Sequence, residues 1–235
     1  MKRDLALVRW LYALLEFVLL PLFRRLGITP AALTITGLFF SALAGLSYLV
    51  SPVLAGCLAL VGGICDFSDG CWARTSGMES PRGAFLDSVL DRFGESFLLV
   101  GIWAYLNRDP RYATVGALLV FAALIGSFMV SYTRARGEGL AAPFKGGVFL
   151  REERLLILVI GSLADPLAPG LVLLLTVGVL ALGANLTALY RFRGIYRQLA
   201  APKASVVRED CFGQPQNLGS DQGGQSGRES LKQRR

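Results

Sequence analysis

The sequence predicts an all-α integral membrane protein: six transmembrane helices preceded by an amphipathic helix lying in the membrane interface. Three observations predict it. Of 235 residues, 53% are hydrophobic and only 17% charged, whereas a soluble domain carries roughly a quarter charged residues. Apolar runs recur at about the 20-residue length that a bilayer requires. Basic residues gather at one set of run ends, as the asymmetry of membrane insertion demands.

Residues 1–27 form the interfacial element. Lys2 and Arg3 precede apolar residues, but Arg9 and Glu16 interrupt the run and no small-residue cleavage site follows before Arg24 and Arg25, so it does not read as a signal peptide. Arg9, Tyr12 and Glu16 share one helical stripe among Leu, Val and Phe, the pattern of a helix lying on the membrane. Residues 28–197 form the membrane domain, with spans predicted at 31–50, 53–73, 83–106, 113–132, 148–164 and 167–190. The first is uncharged. The third begins charged and ends apolar, and the fifth is short, opening on Arg151, Glu152, Glu153 and Arg154. Pro52, Pro110 and Asp165-Pro166 mark the turns on one side. Residues 198–235 are rich in Gly, Gln, Ser and charge and read as a disordered polar tail.

The net charge of +7 admits nucleic acid, anionic lipid or an anionic substrate as partner. Its distribution decides. With both termini cytoplasmic, one set of ends holds Arg24, Arg25, Arg74, Arg82, Arg134, Arg136, Lys145, Arg151, Arg154, Arg191, Arg193 and Arg197, and the other only Arg108 and Arg111. Topology thus accounts for most of the excess, which argues against nucleic acid and for a cytoplasmic-membrane protein. Histidine is absent, and Cys57, Cys65, Cys71 and Cys211 include no zinc-like pair. That removes Cys/His zinc sites and histidine triads, so a general base must be a carboxylate, lysine, tyrosine or thiol.

The informative stretch runs from Cys65 to Glu95, CDFSDGCWARTSGMESPRGAFLDSVLDRFGE. Asp66 and Asp69 are three apart, Asp87 and Asp91 four apart, and helical neighbours at these spacings share a face. A short connection makes the two helices antiparallel, so the four aspartates converge near the cytoplasmic surface. Ionisable groups at membrane depth are costly, at roughly 2.5–3.5 kcal/mol each at a helix centre, and four like charges repel. Hard divalent cations such as Mg²⁺ or Mn²⁺ suit a carboxylate cluster. Two ions neutralise four carboxylates and leave positions open for phosphate oxygens.

This stretch resembles the signature of the CDP-alcohol phosphotransferases: Asp, two residues, Asp-Gly, two residues, Ala-Arg, eight residues, Gly, three residues, Asp, three residues, Asp. Asp66, Asp69, Gly70, Ala73, Arg74, Gly83, Asp87 and Asp91 fill every fixed position, and the six-span layout extends the resemblance over about residues 25–197. The resemblance implies transfer of a phosphatidyl group from CDP-diacylglycerol to an alcohol, with release of CMP. It implies two Mg²⁺ or Mn²⁺ ions held by Asp66, Asp69, Asp87 and Asp91, with Asp91 doubling as general base. Asp69, Gly70, Ala73, Arg74 and Gly83 would face the CDP donor. Members are often homodimers, which adds a second copy of the chain as a candidate partner. Where the family commonly reads Thr-Pro-Asn, this chain has Thr29-Pro30-Ala31, while Thr34 and Gly37 keep the rest of the local pattern.

SYTRARGEGL followed by FLREERL resembles the branch that makes phosphatidylinositol phosphate or its archaeal ether-lipid counterpart. That resemblance implies that Ser131, Arg134, Arg154 and Arg191 hold the phosphate of a phosphorylated polyol, inositol 1-phosphate. Glycerol 3-phosphate, the acceptor of a phosphatidylglycerophosphate synthase, is the alternative. A small transporter or cation channel could also place acidic residues in a bundle. However, the span centres are apolar apart from isolated residues such as Asn185, which leaves no polar conduction path.

Overall fold

The computed structural model describes residues 20–144, 146–147 and 149–200, together with the backbone of 208–209 and 215–216. Among the described residues the helices are α1 (Leu20–Leu26), α2 (Pro30–Ser47), α3 (Pro52–Ser76), α4 (Pro81–Leu106), α5 (Pro110–Gly139), α6 (Arg151–Ala164) and α7 (Leu171–Ala200), with a 3₁₀ turn at Asp165–Leu167. Within residues 199–235 a separate two-residue pairing joins β1 (Arg208–Glu209) antiparallel to β2 (Pro215–Gln216). The expected interfacial helix lies largely outside the described residues, only its end corresponding to α1. Most of the expected polar tail, and Lys145, also lie outside them.

Local chemistry sets the helix starts. α2 to α5 each open on proline, at Pro30, Pro52, Pro81 and Pro110, preceded by Thr29, Ser51, Ser80 and Asp109. Proline at the first helical position loses no hydrogen bond and pre-sets φ. The preceding oxygen accepts an otherwise orphaned amide: Ala32 to Thr29 at 3.3 Å, Leu54 to Ser51 at 3.4 Å, Gly83 to Ser80 at 3.0 Å and Arg111 to Asp109 at 2.9 Å. The Arg111 side chain also bonds Asp109 and holds that carboxyl below the usual carboxylate range. Gly77, at φ +67°, ends α3 in the left-handed conformation that glycine adopts without strain.

Each of the six expected spans is a helix, and four of them, α2, α3, α5 and α7, are long and apolar enough to cross a membrane. α4 is 26 residues long but carries Asp87, Asp91, Arg92 and Glu95 in one half. α6 has 14 residues, about 21 Å at helical rise, short of the ~30 Å hydrocarbon core.

One core joins α2 to α7, including Ala44, Tyr48, Ala59, Leu99, Ile102, Ala123, Leu158 and Val177. Small residues bring α2 against two partners. A Cβ on Gly37 would lie 3.2 Å from the Gly62 carbonyl oxygen of α3, and one on Gly101 of α4 would lie 2.8 Å from the Cα of Gly45. Such backbone-to-backbone approach is the usual means of tight packing where lipid removes the hydrophobic drive. It draws α3 and α4, the aspartate carriers, onto one helix.

At the bundle end away from the aspartates, Asp165 is 1% exposed. It accepts the Gly170 and Leu173 amides at 3.0 and 3.2 Å and the Tyr105 hydroxyl at 2.6 Å. Tyr48 and Ser162 share a buried hydrogen bond at 2.5 Å. These bonds tie α4, α6, α7 and α2 together. A smaller cluster of Phe23, Leu33, Cys71 and Trp72 fastens α1, with the Trp72 indole donating to the Ile28 carbonyl at 2.8 Å.

Candidate active site

The second half of α3 and the first half of α4 bring Asp66, Asp69 and Asp87 together, one oxygen from each lying within 4.8 Å of the others. Asp69 is 5% exposed and accepts the Thr34 hydroxyl of α2 at 2.6 Å. The Gly37–Gly62 approach is one turn from that bond, so helix packing sets where Thr34 meets Asp69. Asp91 joins through charge: Arg151 Nη1 stands 2.9 Å from Asp91 Oδ1. That contact falls short of hydrogen-bond geometry and leaves the oxygen buried without a donor. Arg151 also grips Asp66 with both terminal nitrogens, Nη2 to Oδ1 at 3.0 Å. Arg92 lies 3.6 Å from Asp91 Oδ2.

These residues suit a hard divalent cation. Every donor is a carboxylate oxygen, the three-residue cluster is tight enough to share an ion, and Asp91 offers an unbonded buried oxygen. Thr34 supplies the outer hydrogen bond that fixes a ligating carboxylate.

The residues expected to face the donor sit around the same helix ends. Gly70 and Ala73 are half-buried and Arg74 is exposed. A Cβ on Gly70 would meet only the Arg74 guanidinium, at 3.5 Å or more, so the space over Gly70 is open. Gly83, also half-buried, gives its amide to Ser80. Ala31 is exposed in the first turn of α2, one turn before Thr34.

Of the expected phosphate-binding residues, Arg154 is 4% exposed and forms a bidentate pair with Glu95 at 2.8 and 3.0 Å, with a further bond to the Phe149 carbonyl. Ser127 donates to the same Glu95 at 2.8 Å. Arg191 is buried and donates to the Gly146 and Val130 carbonyls at 2.8 and 2.9 Å. Arg134 is exposed and pairs with Glu138 at 3.0 Å. Arg134, Arg154 and Glu138 all lie near enough to act electrostatically on Arg191, and Arg134 and Arg154 each have a glutamate partner of their own. Ser131 lies half-buried on α5, three residues before Arg134. A cavity of about 40 Å³ is lined by Asp66 and Arg151 together with Glu95, Ser127 and Arg154.

Sequence reasoning did not find the role of Arg151, Thr34 or Glu95. Arg151 was indistinguishable from its neighbour Arg154 as a helix-end charge. Glu95, spaced four residues after Asp91 on the same face, carried a sequence signal, and Thr34 stood out only as part of the local family pattern.

A profile described as CDP-alcohol phosphatidyltransferase matches residues 27–189. The chain belongs to the CDP-alcohol phosphatidyltransferase family. It is therefore a transferase and an integral membrane protein, which decides against the transporter reading. Among its relatives is an archaetidylinositol phosphate synthase of Pyrococcus horikoshii, 39% identical over 150 residues covering 63% of this chain and 76% of that one. A phosphatidylinositol phosphate synthase of Mycobacterium marinum is 30% identical over 206 residues, covering 82% and 86%. In fold, the transferase is similar to the phosphatidylinositol phosphate synthase of Mycobacterium tuberculosis solved with CDP-DAG bound, at a TM-score of 0.70 and 23% identity over 80% of this chain and 97% of that one.

Proposed function

We propose that this transferase moves the phosphatidyl group of CDP-diacylglycerol to inositol 1-phosphate, giving phosphatidylinositol phosphate and CMP. The observation that carries the reading is an all-carboxylate cluster whose Asp66 shares a cavity with the buried Arg154, in a chain whose relatives include synthases of inositol phospholipids. An acidic cluster alone would suit any member of the family. The arginines favour an acceptor that brings its own phosphate, because a phosphate dianion leaving water needs charge-assisted donors.

In this reading Asp66, Asp69, Asp87 and Asp91 hold two Mg²⁺ or Mn²⁺ ions. When bound, the ions neutralise the donor's pyrophosphate and the charge that develops on the departing CMP phosphate. Gly70, Gly83 and Ala73 leave room for the nucleotide against the backbone, and Arg74 pairs with a phosphate. Ser131, Arg134, Arg154 and Arg191 orient the acceptor phosphate, which fixes the attacking hydroxyl. Asp91 takes the proton as that oxygen bonds to the lipid-bearing phosphorus and the bond to CMP breaks. Arg154 and Arg191 are held by Glu95 and by main-chain carbonyls, so their orientation is set before substrate arrives.

The bundle crosses the membrane six times, α4 and α6 adding to the four helices that are long and apolar enough to span it alone. The aspartate end faces the cytoplasm, where the basic residues lie.

The test is CMP release by purified protein given CDP-diacylglycerol, Mg²⁺ and one acceptor at a time. Inositol 1-phosphate should be turned over in preference to inositol, glycerol and glycerol 3-phosphate. Preference for glycerol 3-phosphate or free inositol would overturn the acceptor assignment, and no CMP release with any alcohol would overturn phosphatidyl transfer.

A further inference from the structure

Arg154 and Arg151, three residues apart on one face of α6, are bound in opposite ways. Arg154 is 4% exposed, and its partners, Glu95 and the Phe149 carbonyl, belong to no proposed ligand set. Arg151 has a third of its side chain exposed. Its partners are Asp66 on both oxygens and Asp91 on the oxygen that has no hydrogen-bond donor. It is the first residue of its helix, at the positive end of the peptide dipole, where a basic side chain is disfavoured. Its position therefore depends on those carboxylates. The amide that precedes it, that of Leu150, is capped by Glu153 at 2.9 Å, so the helix start stands without Arg151.

A carboxylate oxygen directed at a guanidinium is not free for a metal ion, and two cations a few ångströms apart repel. Arg151 and a divalent ion cannot both hold Asp66 and Asp91 at full strength. We propose that Arg151 is a positioning residue that competes with the divalent ion for Asp66 and Asp91. Ion binding turns its guanidinium out of the carboxylate cluster and towards the acceptor phosphate. This deepens the proposed function and rests on it for the identity of the acceptor. Metal loading and acceptor binding are then coupled: the ion releases the arginine that the anionic acceptor uses. By linkage the acceptor strengthens ion binding by the same factor. Arg151 and Asp66 line the same cavity as Glu95, Ser127 and Arg154, so the released guanidinium stays beside one of the arginines assigned to the acceptor phosphate.

The experiment measures Mn²⁺ affinity directly, by electron paramagnetic resonance of free ion, on detergent-purified wild type, Arg151→Met and Arg151→Lys. Each is checked for a single size-exclusion peak. Removing the competitor should tighten Mn²⁺ binding about tenfold in Arg151→Met, the effect of one charge-assisted pair partly screened by water. Arg151→Lys, a point charge that cannot bridge both carboxylates, should fall between it and wild type. Inositol 1-phosphate should tighten Mn²⁺ binding in wild type and not in Arg151→Met. Unchanged or weaker Mn²⁺ affinity in the variants overturns the proposal, and if Arg151→Met does not yield folded protein, Arg151→Lys alone decides on the same criterion. CMP release by wild type with inositol 1-phosphate is read separately, so failure of the acceptor assignment is distinguishable from failure of the competition.

Discussion

Replacing Arg154 by methionine keeps much of the side-chain volume and removes the guanidinium that grips Glu95 at 2.8 and 3.0 Å. Glu95 would retain only the Ser127 hydroxyl, at 2.8 Å. Removing one partner of a buried ion pair costs about 3–5 kcal/mol, because the other charge is left desolvated. The Glu95 side chain is 19% exposed against 4% for Arg154, so water reaches it in part and the lower figure, about 3 kcal/mol, is expected. At about 2–4 °C per kcal/mol for a chain of this size, Tm should fall by ~6–12 °C. Glu95→Gln should do similar damage, since it leaves Arg154 buried with a weakened partner. The double variant should recover much of the loss, through a coupling of about 1–3 kcal/mol. The assay is size-exclusion recovery of detergent-purified protein after stepwise heating. Strictly additive losses, or a Tm within about two degrees of wild type in Arg154→Met, would refute the reasoning that the pair is a buried unit.

Three further outcomes are expected. Gly101→Val forces a branched side chain against the Gly45 backbone, and should cost at least the ~1–3 kcal/mol of ordinary overpacking, seen as loss of folded protein on size exclusion. Thr34→Val removes the 2.6 Å bond to Asp69, and should weaken Mg²⁺ activation about tenfold or more with little change in Tm. Single cysteines at Arg25→Cys and Gln198→Cys, in a background without Cys57, Cys65, Cys71 and Cys211, should resist an impermeant thiol reagent applied to intact cells. Labelling from outside would contradict the proposed cytoplasmic site.

Much of the fold was legible because apolar length and proline punctuation are local signals. Each of the six expected spans is a helix, and the Thr-Pro, Ser-Pro and Asp-Pro pairs stand at the helix starts. Helices α3, α5 and α7 continue past their apolar runs, since a helix does not stop where the lipid does. The convergence of Asp66, Asp69 and Asp87 was legible from three- and four-residue spacing across a short turn. What was hidden depends on contacts between segments distant in sequence. Nothing local separates Arg151, which meets Asp66 eighty-five positions away, from Arg154, which meets Glu95. Asp165 read only as part of a turn, yet it gathers the Tyr105 hydroxyl and two amides of the following segment.

The central claim is that the aspartate cluster performs phosphatidyl transfer, with Asp91 taking the acceptor's proton. Its most direct test compares Asp91→Asn with wild type for Mg²⁺-dependent CMP release in the presence of inositol 1-phosphate, alongside equilibrium binding of CDP-diacylglycerol. General-base catalysis contributes about 10²–10⁴ in rate, so turnover should fall by that order while donor affinity changes by far less. EDTA should abolish wild-type turnover and Mg²⁺ or Mn²⁺ restore it. Turnover that survives both chelation and Asp91→Asn would contradict the account.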